Sequence, residues 1–211
     1  MKIQILTSKS SWLYKNKKKI KNKNYWKNKR IITSYKDIQS NFNLTVMLSY
    51  YKIIPSKYLN SSKYNLVVHE SDLPKGRGFS PLFHQIINGK TWITFSLFEC
   101  LKNMDSGKIY LKKKFYFPST LIYEEIKKHQ INCALKLLDL FIKKLKNKKN
   151  LIKGIDQKGK ATYFKKLKNE ASEININKTL DSQINILRTR DNDNFPSYFY
   201  YKKRKYILKL F

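Results

Sequence analysis

The chain is poor in acid. Against 45 Lys and Arg stand only 14 Asp and Glu, which leaves a formal charge of +31. Glycine (6), proline (5), histidine (3) and cysteine (2) are also sparse among the 211 residues. So little Gly and Pro excludes a collagen-like or a Gly/Pro-rich low-complexity chain. Cys100 and Cys133 have no CxxC spacing and no His cluster nearby. That argues against a disulfide scaffold and against zinc, so no metal is expected. No apolar run approaches the ~18 residues that a membrane-spanning helix needs. The opening Met1-Lys2-Ile3-Gln4-Ile5-Leu6 is short and alternating, unlike a secretory leader. The expectation is a cytoplasmic setting, two free buried thiols and no membrane partner.

What the chain does have is enough apolar residues, 41%, for a real core, and a length that suits one domain with a small appendage. The charge alone would suggest a nucleic-acid binder, because each basic side chain placed on a phosphate releases a counterion. Yet only 5 of the basic residues are Arg, the side chain that grips phosphate with a bidentate fork. The excess is Lys, and it travels with Asn, Ile and Tyr along the whole chain. Solvated Lys on ordinary surfaces is the favoured reading, and nucleic acid is not the favoured partner. The Lys runs at Lys15 to Lys23 and Lys143 to Lys153, with the many Tyr and Phe, keep open a basic RNA-binding or ribosome-associated protein without catalysis.

Periodicity predicts alternating strands and helices. Residues 2–7 read as a strand running into a small-residue turn, as the first unit of a doubly wound α/β sheet does. Trp12 to Arg30 reads as a helix and loop or as a segment without fixed structure. Ser34 to Phe42 is a short helix or turn. Leu44–Leu48 and Asn65–His69 are compact apolar runs suited to buried strands. A helix starts at Pro81, with Gly89 placed to stop it. Trp92 to Phe98 and Lys108 to Tyr116 are strands around the turn-forming Asn103-Met104-Asp105-Ser106-Gly107. Ser119 to Lys146 is the longest helical pattern, and Lys146 to Lys153 a charged linker. A short helix at Thr179 to Leu187 and a hairpin-like alternation from Tyr198 to Phe211 complete the chain. Two parts are expected: an α/β domain over 1–150 and an extension over 151–211.

The chemistry gathers at two positions. In open α/β sheets, ligands bind beyond the carboxyl ends of the strands. His69 ends a predicted strand and is followed by a loop with Pro74, Gly76 and Gly78. Asp105 sits in the turn after a later strand, just before Gly107, where the chain can bend closely around a site. A carboxylate beside the imidazole would orient the ring and raise its basicity, which suits proton transfer. By residue type alone, a hydrogen-bonded structural His and a turn-forming Asp fit as well. His84 reads as structural, and His129 as facing solvent or a helix flank with no role expected.

Val68-His69-Glu70-Ser71-Asp72-Leu73-Pro74-Lys75-Gly76-Arg77-Gly78 resembles the fingerprint of the formyltransferase family, and Asp105-Ser106-Gly107 is similar to its Asp-x-Gly. Ile86–Lys90 and Ile93–Glu99 fit in order and spacing between them. Upstream, Ser49–Pro55 is similar to the loop that lines the family's folate pocket. The resemblance implies a Rossmann-like α/β fold with a mostly parallel sheet and a small C-terminal extension ending in a β-hairpin. It implies 10-formyltetrahydrofolate as donor, a primary amine as acceptor, and His69 and Asp105 as catalytic pair. Tyr51, Ile53, Ile54, Pro55 and Gly107 would line the folate site, and Lys75 and Arg77 would meet substrate. The loop variant, together with Gly159–Phe164 and Asn192–Phe199, resembles the branch acting on amino sugars linked to nucleotides. The branch acting on methionyl-tRNA is the alternative. The aromatic hairpin is a candidate homodimer interface. One departure stands out: the family has Asn two residues before the His, and here that position is Val67.

Overall fold

The computed structural model describes residues 1–20, 29–147 and 151–211. Parts of the Lys-rich stretch after Trp12 and of the charged linker thus lie outside the described residues. A six-stranded sheet in the order β2-β1-β3-β4-β6-β7 forms the centre. Its strands are β1 (Ile3–Leu6), β2 (Lys29–Ile32), β3 (Leu44–Met47), β4 (Tyr64–His69), β6 (Trp92–Glu99) and β7 (Ile109–Tyr116). The first four pair in parallel, and β4–β6 and β6–β7 are antiparallel. β1 and β3 are buried at every position because parallel neighbours leave both faces to be covered by other elements. That is why their sequences are apolar runs with only Gln4 and Thr45 as polar members, and these two satisfy each other through Gln4 Nε2 donating to Thr45 Oγ1 at 2.8 Å.

One face carries the main core. Ile5, Val46, Leu66, Val68, Phe95 and Leu97 point there and pack against α1 (Trp12–Ile20), α2 (Pro81–Ile87) and α3 (Tyr123–Asn147). At ~1.5 Å per residue, the 25 residues of α3 span roughly 37 Å, enough to cross the sheet. Ile126, Ala134, Leu137, Leu138 and Phe141 make its buried stripe, while Glu124 and Glu125 open it and Lys144 and Lys146 close it, complementing the helix dipole. Phe95 anchors this core, edge-on to Phe115 at 5.1 Å and stacked with Phe117 at 6.0 Å.

The other face carries a second, smaller apolar cluster. One cross-strand row supplies it: Ile32, Leu6, Met47 and Val67 lie in register across β2, β1, β3 and β4. Ile54 and Leu59 cover that row from the β3–β4 connection, with Tyr35, Tyr50, Tyr58 and Cys100 around them.

After α3 the chain returns to the first domain. Ile152 enters the main core and its N–H donates to Tyr64 Oη at 2.9 Å. Ile155 bridges Ile109, and β8 (Tyr163–Phe164) pairs in parallel with β5 (Arg77–Gly78) in the loop that follows His69. α4 (Leu180–Arg188) follows, capped by Thr179, whose hydroxyl accepts from Ser182 N–H. β9 (Ser197–Tyr201) and β10 (Arg204–Leu208) form the expected hairpin. Its two turn residues, Lys202 and Lys203, have φ of 43° and 66°, the left-handed pair that a type I′ turn demands. Among the described residues, no helix is long and apolar enough to cross a membrane.

Two measurements follow from this packing. Phe95→Ala removes a fully buried ring flanked by two others and is expected to cost about 3–5 kcal/mol of unfolding free energy, read from denaturant midpoints. Both cysteines are free. Burial, with the carboxylates of Asp105 and Glu99 adding to it, pushes the Cys100 thiol up to about 12, and burial pushes Cys133 up to about 12 against a small opposing pull from Lys136. Neither is a thiolate at neutral pH, so the folded protein should resist iodoacetamide that modifies both residues in denaturant; rapid alkylation of the native protein would contradict this packing.

Candidate active site

His69 closes β4 and is 7% exposed. Alternation along the strand places it on the same face as Val67, so the ring stands at the edge of the second apolar cluster. Phe98 meets the ring edge-on at 6.3 Å. Nε2 lies 2.8 Å from the Gly76 carbonyl oxygen and 3.7 Å from Asp105 Oδ2. Both neighbours only accept hydrogen bonds when Asp105 is ionised, so Nε2 carries a proton and Nδ1 holds the lone pair of the neutral ring. The tautomer therefore follows from the surroundings of the ring.

Asp105 reaches this position by an unexpected route. β6 is antiparallel to β4, with His69 opposite Ser96 and Leu66 opposite Glu99. The end of β6 is thus at the foot of β4, away from His69, and the two residues do not come from neighbouring carboxyl ends. Instead the segment after Glu99 starts at the foot, where Cys100 N–H donates to Asn65 O at 2.8 Å, and folds back toward His69. Asp105 stands in the left-handed region with φ of 51°. Its Oδ2 accepts from Gly78 N–H at 2.8 Å. Gly107 lies so close to the strand it left that a Cβ would meet the Glu99 carbonyl oxygen at 2.0 Å, so only glycine fits.

The loop after His69 is held from several sides. Lys112 Nζ donates to Asp72 and to the Leu73 carbonyl, and Ser96 Oγ donates to Ser71 O at 2.7 Å. Gly76 N–H donates to Thr162 Oγ1 at 2.8 Å, and Phe79 N–H to Phe164 O at 3.1 Å. Gly78 has φ of 101°, and a Cβ there would lie 2.5 Å from Phe164 O. Behind His69, Glu70 accepts from Gln130, and Gln130 accepts from the buried Lys127 at 2.7 Å. Burial lowers the Lys127 pKa, partly offset by Glu70, Glu124 and Asp191.

The remaining residues singled out in the sequence fall unevenly. Ile54, 8% exposed, packs with Leu6 and Met47, whereas Tyr51 is 65% and Ile53 85% exposed, and Pro55 is exposed beside them. Lys75 stands exposed in the loop after His69. Arg77 is engaged: Nη2 donates to Gln157 Oε1 at 2.7 Å and Nη1 to Tyr163 Oη at 3.4 Å. Asn65 is tied to the foot of the sheet, its amide donating to Ser62 O at 2.7 Å, so it does not stand in for the side chain missing at Val67. His84 bonds Lys165 O and stacks on Phe164 at 4.6 Å, and His129 bonds Tyr116 O, both structural roles. Asn192 clasps both backbone groups of Leu210 rather than facing the site. Sequence reasoning missed Gln157, Thr162 and Phe164 as partners of the His69 and Asp105 loops. The Gly159–Phe164 resemblance covers Thr162 and Phe164 but not Gln157. Among the described residues no three His, Cys, Asp or Glu side chains gather as a metal site.

Residues 7–132 match the family model described as formyl transferase. A methionyl-tRNA formyltransferase from Rickettsia africae is 32% identical over 136 residues, 64% of this chain and 44% of that protein. The chain thus spans under half the length of that curated relative. The solved methionyl-tRNA formyltransferase from Clostridium thermocellum superposes with a TM-score of 0.74 at 25% identity, over 97% of this chain and 90% of that one. A 4-N formyltransferase from Francisella tularensis has the same fold, with a TM-score of 0.68 at 18% identity over 99% and 96% of the two chains. The matched segment holds five of the six strands of the sheet, His69, Asp105 and the loops between them, and on that ground the chain belongs to the formyl transferase family.

Proposed function

We propose that the chain moves a formyl group from 10-formyltetrahydrofolate to a primary amine on a nucleotide-linked sugar. The observation that carries this reading is the His69–Asp105 pair, nearly buried and set at the rim of an apolar strip. Leu6, Met47 and Ile54 are buried within that strip, so the exposed Tyr51, Ile53 and Pro55 are the side chains left to meet a bicyclic ring such as a pterin. The donor supplies a formyl group on a nitrogen that becomes an amine when it leaves.

The acceptor amine attacks only when neutral. As its nitrogen bonds to the formyl carbon it must lose a proton, and His69 Nδ1 has the lone pair to take it. The bond from the formyl carbon to the donor nitrogen then breaks, and His69 returns the proton to that nitrogen. Meanwhile the Nε2–H faces the Asp105 carboxylate, which offsets the positive charge on the ring. Gly76 O holds the ring plane throughout. Gly107 lets the returning chain pass close to the Glu99 carbonyl.

The amino-sugar reading is supported by the His-Glu-Ser-Asp-Leu-Pro-Lys-Gly-Arg-Gly loop and by the segment after α3 that pairs with it. Methionyl-tRNA is the second reading, favoured by the curated relatives and by the charge of +31. The deciding experiment supplies 10-formyltetrahydrofolate with amino-sugar nucleotides in one arm and methionyl-tRNA in another, and reads released folate by absorbance. Turnover with an amino-sugar nucleotide is expected. His69→Ala and Asp105→Ala should each abolish it with the thermal unfolding profile preserved, and near-normal turnover in either would sink the assignment.

Val67 generates a separate prediction. An amide at that position would face the forming negative charge on the formyl oxygen, on the same strand face as His69. Such a donor is worth about a hundredfold in rate where it is present. Val67→Asn should therefore raise kcat; an unchanged kcat would mean that another group already supplies the hydrogen bond.

A further inference from the structure

Gln157 lies in neither the Asp105 turn nor the loop after His69, yet its side chain bonds to both. Nε2 donates to the carbonyl oxygens of Asp105 and Gly107, each at 2.8 Å. Oε1 accepts from Arg77 Nη2 at 2.7 Å. The orientation of the amide follows without ambiguity. Arg77 can only donate, so the oxygen must face it, and the NH2 must then face the two carbonyls.

The backbone delivers Gln157 between two fixed points. Ile155 exchanges both hydrogen bonds with Ile109, at 2.8 and 2.9 Å. Thr162 receives the Gly76 and Arg77 N–H groups, through Oγ1 at 2.8 Å and through its carbonyl at 2.9 Å. The side chain therefore reaches the turn from a support that is itself bonded to β7 and to the loop after His69.

The turn needs that support. Asp105 has φ of 51°, and the left-handed region costs a side-chain-bearing residue about 1–2 kcal/mol. The two carbonyls that Gln157 binds belong to the Asp105–Ser106 and Gly107–Lys108 peptides, so the planes before and after the Ser106–Gly107 peptide are both held. If they were released, Asp105 could relax toward ordinary backbone angles and swing its carboxylate away from Gly78 N–H and from His69. The 3.7 Å separation of Asp105 Oδ2 from His69 Nε2 is already longer than a hydrogen bond, so a small displacement is enough to uncouple the pair.

We propose that Gln157 is a positioning residue: it holds the Asp105–Gly107 turn so that the Asp105 carboxylate stays against His69, and Arg77 sets the orientation of its amide. This assigns Arg77 to the support of the site rather than to a substrate phosphate. The inference rests on the formyl-transfer reading for its kinetic arm only.

The test uses Gln157→Met, which keeps the volume and removes all three bonds, and Gln157→Glu, which can still accept from Arg77 but cannot donate to the two carbonyls. Both should lower kcat by about a hundredfold, the scale of an ångström-sized misplacement, with the KM for the folate donor unchanged. A normal kcat in both single variants would overturn the proposal. The arm that needs no turnover is hydrogen exchange at the Gly78 amide, which donates to Asp105. It should speed up in Gln157→Met while the β1 and β3 amides exchange as before, which also shows that the variant folds. Should the unmodified protein formylate none of the acceptors, the functional reading fails alone. Unchanged exchange at Gly78 would then still refute the role of Gln157.

Discussion

The antiparallel setting of β6 against β4 is the constraint around which the site is built. It sends the chain to the foot of the sheet immediately before the residue that must stand beside His69. The segment after Glu99 therefore has to return, and a returning loop has no ladder to hold it. Close packing of Gly107 on Glu99, the Gly78 N–H on the Asp105 carboxylate and the amide of Gln157 take the place of that ladder. Each acts on a different atom of the same short turn, so the carboxylate is placed by the sum of three contacts from three parts of the chain.

This arrangement bears on the chemistry through the imidazole. A His flanked only by acceptors at Nε2 has one neutral tautomer, with the lone pair on its other nitrogen. The apolar row along Leu6, Met47 and Val67 brings a low-dielectric wall to the same side of the sheet, where a nearby carboxylate acts more strongly on a charged ring than it would in water. Val67 belongs to this wall by register, a valine in line with Met47 and Phe98. What the position loses in hydrogen bonding it gains in continuity of the apolar surface.

Much of the fold was legible in the sequence because it is local. Buried parallel strands read as apolar runs, α3 reads from its stripe, α2 from Pro81 and Gly89, and the terminal hairpin from its alternating aromatics. β2 was not legible: Lys29–Ile32 is an edge strand within a Lys-rich stretch, and only pairing with β1 makes it a strand. His69 and Asp105 were legible as residues, but the path that joins them was not, since strand direction is absent from a pattern of period two. Gln157 escaped altogether. Its partners lie 50, 52 and 80 residues away, and a glutamine in a polar stretch carries no local signal of what it will bind. Tyr51 and Ile53, assigned to a folate pocket by resemblance, stand exposed beside the buried Ile54.

The pairing of β5 with β8 has a bearing on the order of events during synthesis. Arg77 and Gly78 wait for Tyr163 and Phe164, and the Gly76 N–H waits for Thr162, 86 residues further along. Contacts this distant close late, because the intervening chain must be organised first. On a growing chain the sheet, α2 and His69 can assemble while the turn at Asp105 still lacks its clasp. Completion of that turn is thus separated in time from the core beside it, and it comes with the arrival of a short segment that contributes little to that core.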